Sequence, residues 1–103
     1  MKIINCTPHA IRYMGILEDI TFEPSGHIAR VGVEEVELDN YMFVKNKYTE
    51  VTGIPEPKED TLYIVSAMVF SATNRKDVIA PNTNKAFRDE LGHIIGVPNF
   101  IIK

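Results

Sequence analysis

Planar hydrogen-bonding side chains are concentrated in SATNRKDVIAPNTNKAFRDE, residues 71–90. An arginine guanidinium holds a phosphate through two parallel hydrogen bonds, and an asparagine amide both donates and accepts at the edge of a base or ribose. These residue types, gathered around one proline, indicate a site for a small polar anion. The candidate ligand-binding residues are Arg75, Asp77, Asn82 and Arg88 within this run, with His9, Arg30 and Phe70 outside it.

A structural turn is the alternative explanation of the same run. Arg75 can pair with Asp77, while Asn82 and Asn84 can hydrogen-bond a turn of the backbone. Phe70 is a candidate stacking face for a base, but phenylalanine is more often a core residue. The residues alone do not decide between a ligand site and a structural turn.

No residue pattern for metal binding or catalysis is evident. The histidines at positions 9, 27 and 93 lie far apart, and none has a Cys, Asp or Glu at the spacing of a metal site. The sequence contains no nucleophile motif, no P-loop and no dinucleotide-binding glycine motif. We therefore expect a non-enzymatic protein without metal or cofactor. His9 follows Pro8 in a turn, where it either contacts backbone and water or reaches a ligand.

Charge and hydropathy narrow the class of protein. The net charge of −3 provides no basic field for duplex nucleic acid. No apolar run reaches the roughly 18 residues of a membrane span. The N-terminal MKIINCTPHA is too short and too polar for a signal peptide, and the single Cys6 suits a reducing compartment. We expect a cytoplasmic protein that binds neither duplex nucleic acid nor membrane.

Glycine and proline punctuate the 103 residues at intervals that suit short strands, and nothing divides residues 1–103 into more than one domain. Alternation predicts a half-buried strand in residues 27–38, and β-branched and aromatic residues predict another in residues 40–51. The apolar run LYIVS predicts a central strand, and Ser66 a capped short helix after it. A hairpin turn is predicted at Glu90–Gly92. The predicted class is α+β, mainly antiparallel β-sheet or open barrel with one short helix.

The C-terminal HIIGVPNFIIK holds more apolar residues than one face of a terminal strand can bury. A continuous apolar run means that both faces of a strand are covered. Two arrangements satisfy this: a central strand inside one monomer, or a segment packed across a subunit interface. We expect the interface, and with it a homo-oligomer whose ligand sites lie nearby.

Five ordered motifs carry a resemblance that spans the chain. They are TPHAI at 7–11, PSGHIARV at 24–31, YIVS at 63–66, RKDV at 75–78 and RDELGHIIG at 88–96. Together they resemble a family of short proteins from bacteriophages, prophages and related mobile elements. Residues 38–53 have no counterpart in that pattern. By analogy, such proteins are similar to phage anti-defence sponges of the anti-Thoeris and anti-CBASS kind.

The resemblance implies a protein that binds and withholds a nucleotide-derived immune signal, of the cyclic oligonucleotide or cyclic ADP-ribose type, in the bacterial host cell. Sequestration needs affinity and no catalysis, which suits this residue set. The alternative is a protein–protein inhibitor module that docks on a host enzyme through an apolar face. A small nucleotide-modifying hydrolase is the least favoured reading.

Overall fold

The computed structural model describes residues 1–39 and 42–103. Within these residues the chain forms short strands, one α-helix and a 3₁₀ turn at Thr83–Lys85. In chain order the elements are β1 (Lys2–Asn5), β2 (Ile11–Met14), β3 (Asp19–Phe22), β4 (Val33–Glu37), β5 (Val44–Tyr48), β6 (Thr61–Ile64), α1 (Ala67–Ala72), β7 (Val78–Pro81), β8 (Phe87–Arg88), β9 (Ile94–Gly96) and β10 (Phe100–Ile102).

The centre of the molecule is a four-stranded sheet in the order β1-β6-β7-β10. The pairs β1–β6 and β6–β7 are parallel, and only β7–β10 is antiparallel. The prediction of mainly antiparallel pairing is therefore confirmed for β2–β3, β4–β5, β7–β10 and β8–β9, and it does not hold for the two parallel pairs of this sheet. The central position of LYIVS is confirmed: Tyr63, Ile64 and Val65 are fully buried, as a near-continuous apolar run requires.

Three antiparallel hairpins surround the central sheet, formed by β2–β3, β4–β5 and β8–β9. None of the sheets closes into a barrel over residues 1–39 and 42–103. The β2–β3 hairpin lies against β10, where the ring of Phe100 meets Phe22 edge-on at 5.9 Å and Tyr13 at 6.3 Å between centroids. The predominance of strands over helix is as predicted.

The expected half-buried strand in residues 27–38 is wrong in extent and in burial. The strand covers only Val33–Glu37, and every residue of it is exposed. Val33 and Val36 lie on opposite faces of this strand, so it has no single apolar side for another element to cover. The strand expected in residues 40–51 is shorter as well, at Val44–Tyr48, and Asn40 and Tyr41 lie outside the described residues.

Two local signals are confirmed. Ser66 caps α1, and its hydroxyl oxygen accepts a hydrogen bond from the Val69 amide at 3.3 Å. The last hairpin turns at Gly92, whose φ of +84° is a backbone conformation that favours glycine. Both features depend on residues that are close in the chain, and they can therefore be predicted from the sequence.

A buried side chain, Asn5, holds the N-terminal third together. Its amide nitrogen donates to the carbonyl oxygens of His9 at 2.8 Å and Phe22 at 2.9 Å. Its amide oxygen accepts from the backbone nitrogen of Thr7 at 2.9 Å and from the hydroxyl at 2.7 Å. The carbonyl oxygen of Asn5 accepts from the backbone and hydroxyl of Ser25. The TPHAI and PSG motifs thus meet at one buried asparagine.

The molecule is extended for its length. Its radius of gyration is 15.9 Å, against about 13 Å for a compact domain of this size. The principal extents are 54 × 39 × 23 Å. In the described part of the chain, no helix has the length and apolar character needed to cross a membrane.

The buried amide of Asn5 generates a stability prediction. Replacing Asn5 by Ala removes its hydrogen bonds to the carbonyls of His9 and Phe22 and to the amide of Thr7, and should lower the free energy of unfolding by about 3 kcal/mol. Asn84 is exposed in the 3₁₀ turn, so Asn84→Ala is the matched control and should shift it by less than about 0.5 kcal/mol. Urea unfolding followed by circular dichroism measures both. Equal midpoints for the two variants would contradict the role of Asn5.

Candidate functional site

Strand β7 divides the polar run at residues 71–90 into two groups. Arg75 and Asp77 precede β7, whereas Asn82 and Arg88 follow it. Four residues of extended chain span roughly 13 Å, so the two groups lie at opposite ends of the strand. They do not form one site, and each end must be considered separately.

At the amino end of β7, Arg75 and Asp77 form a bidentate ion pair. Arg75 Nε donates to Asp77 Oδ1 at 2.9 Å, and Nη2 donates to Oδ2 at 2.6 Å. The two side chains are 27% and 21% exposed, and the guanidinium carbon lies 5.5 Å from the centre of the Tyr63 ring. The hydrogen bonds from Arg75 lower the pKa of Asp77, and those to Asp77 raise the pKa of Arg75. This is the pairing that the turn interpretation expects.

At the carboxyl end of β7 lies an open pocket of about 400 Å³. Its lining is mostly apolar, and three of the lining residues have polar side chains: His9, Arg12 and Thr83. The apolar lining comes from Ala10, Ile11, Pro81, Ile94, Ile95, Gly96 and Val97. Concave, largely apolar surfaces with a few placed polar groups are typical of small-molecule sites.

Close contact between β2 and the β9 region gives the pocket its walls. The Val97 amide donates to the Arg12 carbonyl and the Met14 amide donates to the Val97 carbonyl, both at 2.9 Å. A Cβ atom at Gly96 would lie 2.4 Å from Met14 Sδ and 3.2 Å from the Arg12 carbonyl oxygen. Glycine at position 96 therefore permits the approach on which the pocket depends.

The TPHAI motif places His9 at the rim. Asn5 holds the His9 carbonyl, so the backbone of the turn is constrained while the imidazole is exposed. Arg12 lies in β2 and pairs with Asp19, to which it donates through Nε at 2.9 Å and Nη2 at 2.6 Å. The hydrogen bonds from Arg12 lower the pKa of Asp19. Both members of this pair are 47% exposed, so an anion competing with Asp19 for the guanidinium displaces only a weak surface interaction.

The structure separates the remaining candidate residues from one another. The Asn82 amide donates to Asn99 Oδ1 at 2.9 Å, and Arg88 donates to the Gly92 carbonyl at 2.7 Å. Both neighbour pocket-lining residues without lining the pocket themselves. Phe70 packs against the core cluster, with the Lys103 ammonium 4.4 Å from its ring centre. Arg30 is exposed, and its backbone pairs with Thr52.

Arg12, Thr83, Ile94 and Ile95 were missed as site residues. Arg12 carried a signal, because an arginine in the apolar strand IRYM needs a polar partner or a ligand. The isoleucines carried one too, since the C-terminal apolar run exceeds what a small core can hold. The sequence did not indicate that residues more than 80 positions apart, such as His9 and Ile94, line one pocket.

The C-terminal run is not a central strand. β10 is at the edge of the sheet and pairs with β7 alone over the residues that the structure describes. Ile101 and Ile102 are 42% and 62% exposed, and Ile94 and Ile95 are exposed as well. The monomer-buried arrangement is therefore wrong, and the subunit interface remains a prediction.

Over residues 1–39 and 42–103, no cluster of His, Cys, Asp and Glu side chains is arranged to hold a metal ion. Burial raises the pKa of the Cys6 thiol, which is 1% exposed.

Comparison of the chain with protein-family models, curated proteins and solved structures yields no match.

The two bidentate pairs generate a matched prediction. Asp77→Asn should lower the free energy of unfolding by about 1–2 kcal/mol at neutral pH, because the partly buried Arg75 loses its partner. Asp19→Asn, with the same geometry at the surface, should change it far less. Chemical denaturation of both variants beside the wild type measures the difference.

The same ion pair fixes the sign of a pH dependence. The pKa of Asp77 is lowered by folding, so its contribution is fully present above its unfolded value of about 3.9 and is lost as the pH falls through the folded value. The stability difference between wild type and Asp77→Asn should therefore shrink below about pH 4. A difference that grows on acidification would contradict the assignment.

Proposed function

We propose that the protein is a phage-encoded anti-defence protein that binds and withholds a nucleotide-derived immune signal in the host cytoplasm, without catalysis. The signal is of the cyclic oligonucleotide or cyclic ADP-ribose type. The pocket at the carboxyl end of β7 is the observation that carries this proposal. The resemblance to short phage proteins supports the biological setting.

The chemistry of the pocket suits a ligand that is apolar on one side and anionic on another. Its apolar lining accepts the face of a base or a ribose, since planar rings desolvate readily against Ile and Pro side chains. Arg12 offers a planar fork to a phosphate, and the Thr83 hydroxyl and His9 imidazole offer hydrogen bonds at the rim. Sequestration requires no further group.

The pocket is open on one side, and a second subunit is the proposed cover. Ile94 and Ile95 line the pocket and remain exposed, at 47% and 42%. Ile101 and Ile102, on the edge strand β10, are exposed as well, at 42% and 62%. A homo-oligomer that buries these residues would place the ligand between subunits and provide the remaining contacts, which so small a chain cannot supply alone.

A protein–protein inhibitor is the second candidate, and one feature favours it. Ile16 and Leu17 at the turn of the β2–β3 hairpin are fully exposed, at 101% and 94%. Two adjacent apolar side chains projecting from a hairpin are suited to insertion into a groove on another protein. This surface is separate from the pocket, so the two candidates are distinguishable by mutation.

Incubation with candidate ligands followed by heating separates the hypotheses. Purified protein is mixed with cyclic dinucleotides and cyclic ADP-ribose, free ligand is quantified by mass spectrometry, and the sample is heated. Depletion followed by recovery of intact ligand is the expected result. Recovery of an altered product would indicate a hydrolase, and absence of depletion across the panel would favour the protein–protein candidate.

Two arginines distinguish the ends of β7. Arg12→Ala should weaken ligand affinity about 30-fold, because one charge-assisted contact is worth about 2 kcal/mol. Arg12→Lys should not restore it, since an ammonium lacks the planar fork. Arg75→Ala should lower the melting temperature with little change in affinity; isothermal titration calorimetry measures the affinity, and differential scanning calorimetry measures the melting temperature. Lost affinity at unchanged melting temperature in Arg75→Ala would instead place the phosphate at the amino end of β7.

A further inference from the structure

A second open pocket, of about 370 Å³, is lined by the β2–β3 hairpin together with β1 and the start of β10. The lining residues are Ile3, Tyr13, Glu18, Ile20, Phe22, Asn99 and Phe100. None of them lines the pocket at the carboxyl end of β7, so the two pockets are separate. The proposed function makes no use of this second surface.

The register of the β2–β3 hairpin gathers apolar side chains on one of its faces. Tyr13 is directly opposite Ile20, and Phe22 is two residues beyond Ile20, so the three side chains share a face. Arg12 and Asp19 belong to the other face, where they form their ion pair. The face that meets the pocket is therefore aromatic and aliphatic.

β10 brings a third aromatic ring to this face. The rings of Phe22 and Phe100 meet at 75° with 5.9 Å between their centroids, and the Tyr13 ring is tilted by 34° to Phe100 at 6.3 Å. All three residues are only half-buried. Rings set at such angles form a corner, so they pack the hairpin against β10 and still line a concave space.

The turn of the hairpin adds a negative charge. The Gly15 amide donates to the Glu18 carbonyl at 2.8 Å, which closes the turn next to Tyr13. A Cβ atom at Gly15 would collide with the Tyr13 ring, so glycine lets the ring lie beside the turn. Glu18 is a lining residue, and its carboxylate forms no ion pair within residues 1–39 and 42–103. None of the described lining residues is basic.

This combination of groups selects a cation. The face of an aromatic ring is negative and attracts ammonium groups, and aromatic cages are the usual site for quaternary ammonium. An unpaired carboxylate favours the same charge, whereas it would repel an anion. A methylated ammonium suits the lining best, because its methyl groups need apolar contact with side chains such as Ile3 and Ile20 and require few hydrogen-bond acceptors.

We propose that this pocket binds a methylated ammonium group, with the rings of Tyr13, Phe22 and Phe100 against its methyl groups and the Glu18 carboxylate as its counter-ion. A free quaternary ammonium compound and a trimethylated lysine of another protein present the same head group. The site is independent of the pocket that carries the proposed function.

A pair of ligands with one shape and different charge tests the assignment on the full-length protein. Choline carries a trimethylammonium group, and 3,3-dimethyl-1-butanol is its uncharged isostere. In titrations followed by nuclear magnetic resonance, choline should bind about tenfold more tightly than the isostere. A peptide that contains trimethyllysine, titrated in parallel, distinguishes the two sources, since the tighter ligand identifies the class that the pocket takes.

Three variants assign the contacts. Glu18→Gln should weaken the cation about fivefold and leave the isostere unchanged. Glu23 is exposed and does not line the pocket, so Glu23→Gln makes the same change in net charge and is the matched control, with wild-type affinity expected. Phe22→Leu keeps an apolar side chain but removes a ring face, and should weaken the cation about threefold. Circular dichroism confirms that each variant is folded.

Three results would overturn the proposal. One is equal affinity for choline and its uncharged isostere, which would make the pocket merely apolar. Another is an equal loss of affinity in Glu18→Gln and Glu23→Gln, which would reduce the effect to net charge. The third is the absence of binding by both choline and the trimethyllysine peptide at millimolar concentration.

Discussion

The N-terminal part of this fold depends on satisfying one buried amide. Asn5 is 2% exposed, and its side chain uses both its donors and its acceptor on backbone and hydroxyl groups of two chain segments, Thr7–His9 and Phe22, while its backbone carbonyl accepts from Ser25. A buried polar group without partners costs free energy, so the segments around it are constrained to supply them. The TPHAI turn, the end of β3 and the Pro24–Gly26 turn consequently occupy fixed positions around β1. The position of His9 at the pocket rim is a result of this constraint.

Features that depend on neighbouring residues could be predicted from the sequence, whereas the pairing of distant strands could not. Ser66 and Gly92 act on their own neighbours, so the cap of α1 and the last hairpin could be predicted. The burial of LYIVS followed from its apolar content alone. The run itself does not indicate that β1 pairs with β6 in parallel, because the two strands lie more than 50 residues apart in the chain. Long-range pairing is decided by the packing of the whole core.

The error about the burial of residues 27–38 has a physical origin. Alternation in residues 27–38 shows that a strand has two different faces, but it does not show that another element covers either of them. The C-terminal isoleucines, which were expected at a subunit interface, are exposed in the single chain as well. The type and spacing of the arginines in residues 71–90 predicted a ligand site there. The pocket instead uses Arg12 and residues of β9, which are brought together by the close approach at Gly96.

Parallel pairing of β1 with β6 has a consequence for the order of events during synthesis. β1 is made first, but its partner at Thr61–Ile64 leaves the ribosome only after both of the first two hairpins have emerged. Hairpins form in microseconds, whereas contacts between distant segments await the chain that closes them. The β4–β5 hairpin is therefore synthesised while the central sheet still lacks three of its four strands. β1 stays without its sheet partner until more than half of the chain has been made, so the central sheet is the part of the fold that must wait longest for its components.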